Sequence, residues 1–187
     1  VDFAAWCNYK YLNSGPGSVA GCFVHEKHHD NPDLPRFAGW WGHDKATRFK
    51  MENTFVPIQS AESWQLSNPP ILSLAAIRGA LDTVKQAGGI SVLRSKSRHL
   101  TSYLRFLLNN RLKDKVGIIT PDEDLSGCQL SLVINTDKLG KSVFDAIEAA
   151  GVTCDWREPN VIRVAPVPLY NRFEEMVQFV DILEQAL

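Results

Sequence analysis

The stretch "SNPPILSLAAIRGALDTVKQAGG", residues 67–89, divides the chain into two parts of different character. Asn68 is a good helix N-cap, and Pro69 suits the first helical position, where the missing N–H would have no partner anyway. Ile71, Leu74, Ala75, Ile77 and Leu81 recur at helical spacing, and the pair Gly88 and Gly89 supplies the stop. Downstream of this predicted helix the chain is periodic to its end. Upstream it is not.

The periodic part opens with a second predicted helix, residues 90–111, with Leu93, Leu100, Leu104, Leu107 and Leu108 on its apolar side. "VGIIT" (116–120) and "CQLSLVIN" (128–135) are predicted strands, followed by a helix over 141–150 that Gly151 ends. "VTCDWRE" (152–158) and "VIRVAPV" (161–167) are strands again, and "PLYN" (168–171) is a turn into the last helix. Asn171 as N-cap with Glu174 at N3 resembles a capping box for that helix. Strands with covering helices predict a compact α/β layer domain over 68–187.

Residues 1–67 mix short apolar runs with turns. "VDFAAWC" (1–7) and "VAGCFVH" (19–25) are predicted strands, and "NSGPGS" (13–18) a tight loop. "DNPDLP" (30–35) is a loop rich in turn residues, and no clean periodicity follows up to Pro57. A long irregular region in a compact domain is usually functional or packed beneath something else.

With 187 residues, 44% hydrophobic and 22% charged, the composition is that of an ordinary globular protein. A net charge of −1 gives no reason to expect nucleic acid or an anionic membrane surface as partner. No apolar run approaches the roughly 20 residues that span a bilayer, and the first residues lack the basic start and apolar centre of a signal peptide. The absence of Met at position 1, before an apolar stretch, suggests a chain entered midway. Cys7, Cys22, Cys128 and Cys154 are scattered without a C-x-x-C pair, so small buried thiols in a reducing cytosol are expected rather than a disulfide framework.

His25-Glu26-Lys27-His28-His29 fits H-E-x-x-H, a zinc-protease pattern that needs a helix to bring both imidazoles to one face. Gly21, two valines and Phe23 before it, and Pro32 and Pro35 after it, deny it that helix. The stretch is predicted to be a strand running out into a polar loop, with no metal.

Lys10, in "AWCNYKYLNSGPG", is the stronger candidate, lying between Tyr9 and Tyr11 with Trp6 before and Leu12 after. An amine in an apolar, aromatic pocket favours its neutral, nucleophilic form. The alternative is a lysine whose stem packs on tyrosine while its head reaches water. Arg163 interrupts "VIRVAPV" on one face with Val161 and Ala165, which suits bidentate capture of a carboxylate or, equally, a charge on an edge strand. Trp40 and Trp41, between Gly39 and Gly42, are either core plugs or rings offered to a ligand or partner.

Taken together, "WCNYKYLN", "HEKH", "GWWGH", "TRFKMEN", "LSNPPIL", "GCQLSL", "GVTCDWREPN" and "IRVAPVPLYN" resemble the kynureninase family, closest to its eukaryotic members. The likeness runs from end to end of this chain. It implies the C-terminal part of a fold type I enzyme dependent on pyridoxal 5'-phosphate (PLP), of the aspartate-aminotransferase superfamily. Residues 1–67 would be the end of the large PLP domain and 68–187 the small α/β domain. The family's longer chain would carry in its first half the aspartate for the pyridine nitrogen, a nearby histidine, the residues stacking on the ring and most phosphate ligands.

By position, the resemblance makes Lys10 the Schiff-base lysine and Tyr9 a contact of the cofactor phosphate. Trp40 would lie at the cofactor of the other subunit of a homodimer, and Asn68 would be a further PLP contact. Ser67 and Asn68 would tune preference for a 3-hydroxylated substrate, and Arg163 would grip the amino-acid carboxylate. The implied activity is cytoplasmic hydrolysis of kynurenine or 3-hydroxykynurenine, in tryptophan catabolism towards NAD. Open alternatives are a desulfurase-like or transaminase-like enzyme of the same superfamily, or a non-catalytic interaction module.

Overall fold

The computed structural model describes residues 1–121 and 125–187. The chain forms two compact units, Val1–Thr83 and Val84–Leu187.

In the first unit, β1 (Phe3–Trp6) and β2 (Gly21–Val24) pair antiparallel, Phe3 opposite Val24 and Trp6 opposite Gly21. The predicted strands are thus present, each shorter than its apolar run. His25 to His29 do not form a further strand; Glu26–His28 make a single 3-10 turn. Residues 30–60 run through turns, joined to one another by a lone bridge between His43 and Pro57, and a 3-10 turn, Ala61–Trp64, follows. Cys7 and Cys22 are exposed rather than buried, because a two-stranded ribbon is too narrow to enclose them.

Helix α1 (Ile71–Gln86) starts later than predicted. A residue before proline is pushed out of the helical region, so Pro69, followed by Pro70, cannot open the helix. The Pro70 carbonyl instead accepts from Leu74 N–H at 3.0 Å, and Asn68 stands exposed, three residues ahead of the helix rather than capping it. Gly88 and Gly89, both at positive φ, end α1 as expected, with Gly89 N–H returning to Val84 O at 2.9 Å.

The second unit is a one-sided sandwich. Helix α2 (Ile90–Arg111) is followed by β3 (Val116–Ile118), β4 (Leu130–Ile134), α3 (Gly140–Ala149), β5 (Asp155–Arg157), β6 (Val161–Val164) and α4 (Phe173–Ala186). The strands lie in the order β3-β4-β6-β5, each pair antiparallel. Because side chains alternate along a strand, Leu130, Leu132, Ile134, Ile162 and Val164 face one side. There they join Leu100, Leu104, Leu107 and Leu108 of α2, Val143 and Ile147 of α3, and Val180 and Leu183 of α4 in one buried core. Ser131, Val133, Val161, Arg163 and Asp155 point to the opposite, partly exposed face.

Helix α4 begins at Phe173, so its N-cap is Arg172, one residue beyond the predicted Asn171. Asn171 spans the turn instead, accepting from Val167 N–H at 2.7 Å and donating to Glu175 Oε2 at 2.9 Å. Glu175, not Glu174, accepts from the Arg172 N–H, at 3.0 Å. Those two bonds hold the Glu175 carboxyl below its ordinary value. Burial, with Glu148 and Asp155 nearby, pushes the Cys154 thiol up to about 11.

Candidate functional site

Lys10 stands on a turn just after β1, and Asn8 is what shapes that turn. Asn8 is buried; it accepts from Trp6 Nε1 at 2.9 Å and donates to Val19 O at 2.8 Å, while its own carbonyl accepts from Ser14 N–H. Asn13 N–H closes the turn on Lys10 O at 2.8 Å. Lys10, Tyr9 and Tyr11 are all exposed, and the Lys10 ammonium lies 5.4 Å from the centre of the Tyr9 ring. The predicted aromatic neighbours are therefore at hand, on an open turn rather than in a closed pocket. A buried asparagine two residues before the lysine is a signal that sequence reasoning passed over.

The tryptophan loop is fixed by glycine and arginine. A Cβ on Gly39 would meet Leu66 Cα at 2.3 Å, and one on Gly42 would meet Ser63 O at 2.6 Å. These glycines let the loop pass directly against the segment that leads into Ser67 and Asn68, so Trp40 and that pair belong to adjoining stretches of chain. Trp40 packs edge-on against Trp41, ring centres 5.2 Å apart, and is 42% exposed in this chain. Arg48 clamps the loop: Nη2 donates to Trp41 O at 2.8 Å and His43 O at 3.0 Å, and the guanidinium lies over both indoles. Beside them is a cavity of about 360 Å³ whose lining includes Trp40, His43, Arg48 and Phe55.

The histidines of the H-E-x-x-H match are engaged separately. His25 Nδ1 accepts from Lys27 N–H, His28 pairs with Asp2, and His29 Nε2 meets Val24 O at 3.1 Å. Lys27 and His28 together hold the Asp2 carboxyl down at about 2. Among the described residues no group of three or more His, Cys, Asp or Glu is placed to hold a metal ion.

In the second unit, Arg163 is on β6, an interior strand, so the edge-strand alternative does not hold. It lies between Ser131 of β4 and Asp155 of β5 and shares its face with Val161. Its Nε donates to Asp155 Oδ2 at 2.6 Å and its Nη2 donates to the same oxygen, while Arg157 Nη2 lies 3.2 Å from that oxygen. Asp155 is the second residue that sequence reasoning missed. Ser67 and Asn68 are exposed in the first unit. Among the described residues, no helix is long and apolar enough to cross a membrane.

The fold matches that of solved PLP-enzyme structures at low sequence identity. A mutant of C-DES with glycine covalently linked to its PLP cofactor gives a TM-score of 0.76 at 17% identity, covering 98% of this chain and 46% of that one. The cysteine desulfurase CsdA of Escherichia coli gives 0.73 at 15%, covering 100% and 46%. Phosphoserine aminotransferase of Bacillus circulans subsp. alkalophilus gives 0.67 at 15%, covering 99% and 47%. The architecture is thus the C-terminal part of the fold type I, aspartate-aminotransferase-like α/β fold.

The sequence itself is far closer to other proteins. Residues 93–183 match the model of the kynureninase C-terminal domain. Kynureninase of Xanthomonas oryzae pv. oryzae is 56% identical over 186 residues, covering 98% of this chain and 44% of that protein. Kynureninase of Stenotrophomonas maltophilia is 56% identical over 185 residues, covering 98% and 43%. These relatives are bacterial, and the chain spans a little under half their length. Residues 93–183 thus resemble a kynureninase C-terminal domain, and 98% of the chain is similar to the C-terminal portion of proteins named kynureninase.

Proposed function

We propose that the complete protein is a kynureninase that uses PLP to hydrolyse L-kynurenine or 3-hydroxy-L-kynurenine. The products are anthranilate or 3-hydroxyanthranilate, and L-alanine, a step of tryptophan catabolism towards NAD. The observation that carries this reading is 56% identity, across 98% of the chain, to proteins named kynureninase. It extends to a cytoplasmic homodimer in which residues 1–67 close the large domain and 68–187 form the small one.

The donors of this chain suit an aldehyde cofactor bearing a phosphate. Lys10 offers an exposed primary amine on a turn fixed by Asn8, and Tyr9 beside it offers a phenol that can donate to a phosphate oxygen. When bound, PLP supplies an electron sink for charge developing at the substrate α-carbon. Lys10 would hold the cofactor through its amine and would be the base for the proton at that carbon. Trp40 would contact the cofactor of the other subunit, and Asn68 would add a polar contact. Ser67 and Asn68 sense the 3-hydroxyl, and Arg163 takes the substrate carboxylate and aligns the scissile Cβ–Cγ bond.

The test is made on the complete protein. Kynurenine should give anthranilate and alanine, and Lys10→Ala should abolish the absorption band of lysine-bound PLP. A band that survives the substitution would sink the assignment of Lys10. Persulfide or amino-transfer products, in place of anthranilate, would favour a desulfurase- or transaminase-like enzyme.

A further inference from the structure

We infer that Asp155 is the positioning residue for Arg163, holding its guanidinium by one edge so that the other edge is presented to a substrate carboxylate. This rests on the carboxylate-binding role proposed for Arg163. A guanidinium has two edges that can each take a carboxylate: the side, made by Nε and one N–H of Nη2, and the end, made by Nη1 and the outer N–H of Nη2. In this structure the side edge is committed, since Nε and Nη2 both donate to the single oxygen Oδ2 of Asp155. The end edge is what this pairing leaves over.

The arrangement comes from strand register rather than from a flexible loop. Asp155 and Arg163 are directly opposite on β5 and β6, so the carboxylate is delivered by backbone pairing and does not have to be found. Ser131 flanks Arg163 on the other side, across from β4. Arg157, two residues along the same face of β5, also reaches Asp155 Oδ2, at 3.2 Å. Two guanidinium groups against one carboxylate leave the trio one positive charge in excess, so Asp155 orients Arg163 without cancelling its pull on an anion.

Freezing a rotamer-rich side chain before binding is worth up to about a factor of ten in affinity. In the complete, cofactor-loaded protein, Asp155→Ala should therefore raise KM for kynurenine about tenfold while kcat falls by less. Asp155→Glu should recover part of the loss, and the α-carboxamide analogue of the substrate should be indifferent to both changes. A purely structural role would alter the acid and the amide alike. Should Asp155→Ala fold poorly, Asp155→Asn keeps the shape and removes the charge.

The pair can also be read directly in the 187-residue chain. The Arg163 Nε–H resonance should be protected from exchange in the parent and lose that protection in Asp155→Ala. An unprotected Nε–H in the parent, an unchanged KM, or a KM that falls because Asp155 competes with substrate would each overturn the inference. Arg163→Lys separates the two levels. If it raises KM and Asp155→Ala does not, only the positioning role falls. If neither moves KM, the carboxylate role of Arg163 itself has failed.

Discussion

Replacing Arg48 with methionine would keep most of the apolar stem and remove the guanidinium that clamps the tryptophan loop. Two charge-assisted bonds are lost, to Trp41 O at 2.8 Å and His43 O at 3.0 Å, together with the stacking on both indoles. At roughly 1.5 kcal/mol for each bond and about 1 kcal/mol for the stacking, the gross loss is about 4 kcal/mol. Arg48 Nε is buried without a hydrogen-bond partner, so its desolvation already offsets about 1–2 kcal/mol in the parent. The net expectation is about 2–3 kcal/mol, or roughly 30- to 150-fold in the opening equilibrium of the loop. Amide exchange reports it: Asp44 N–H bonds Val56 O at 2.8 Å and Ile58 N–H bonds Gly42 O at 2.9 Å, and both should exchange faster by that factor. Amides of β4 and β6, in the other unit, serve as the reference and should not change. Acceleration of less than about threefold at Asp44 and Ile58, under 0.7 kcal/mol, would refute the clamp.

Leu132→Ala, on the interior strand β4 and fully buried, should cost about 2–5 kcal/mol in urea unfolding, and a loss under 1 kcal/mol would contradict the packing described. Iodoacetamide at pH 8 should label exposed Cys7 and Cys22 well before Cys154, whose thiol keeps its proton until about pH 11. Since the folded thiol has the higher pKa, its contribution to stability is complete below the ordinary value of 9.0 and fades as pH climbs to about 11; equal labelling of all three would oppose this. Glu175 has the reverse sign. Its stabilisation is present above the ordinary 4.5 and is lost as pH falls through the lower folded value, so Glu175→Gln should flatten the acid limb of a Tm–pH curve. A curve that stays as steep would remove Glu175 from the account.

The helices and the sheet were legible because their burial is one-sided. Leu100, Leu104, Leu107 and Leu108 mark the inner side of α2, whose limits agree with the prediction, and the alternation in "LSLVI" marks β4. Helix starts were harder, because the local rules competed. Asn68 has the right chemistry for a cap, but the second of two prolines decides where α1 can begin. Asn171 likewise loses the cap to Arg172 while keeping the turn.

Among candidate site residues, Lys10, Trp40 and Arg163 stood out as anomalies of composition, a lysine among tyrosines or an arginine among valines. Their supports did not. Asn8, Arg48 and Asp155 are ordinary residues in ordinary neighbourhoods, and their roles depend on bonds to chain segments or strand partners whose register no short motif encodes. In this chain Lys10 lies on an open turn to which Tyr9 and Tyr11 contribute, all three exposed.

The one-sided sandwich separates two kinds of evolutionary freedom by the parity of residue number. On β4 and β6 the even positions 130, 132, 134, 162 and 164 are sealed against helices, while the odd positions 131, 133, 161 and 163 look outward. A library that varies only the odd positions can therefore explore new ligand chemistry around Arg163 with little debt to folding. Even-position changes would be filtered for stability first. Specificity and robustness are interleaved residue by residue along the same two strands, and each can drift without dragging the other.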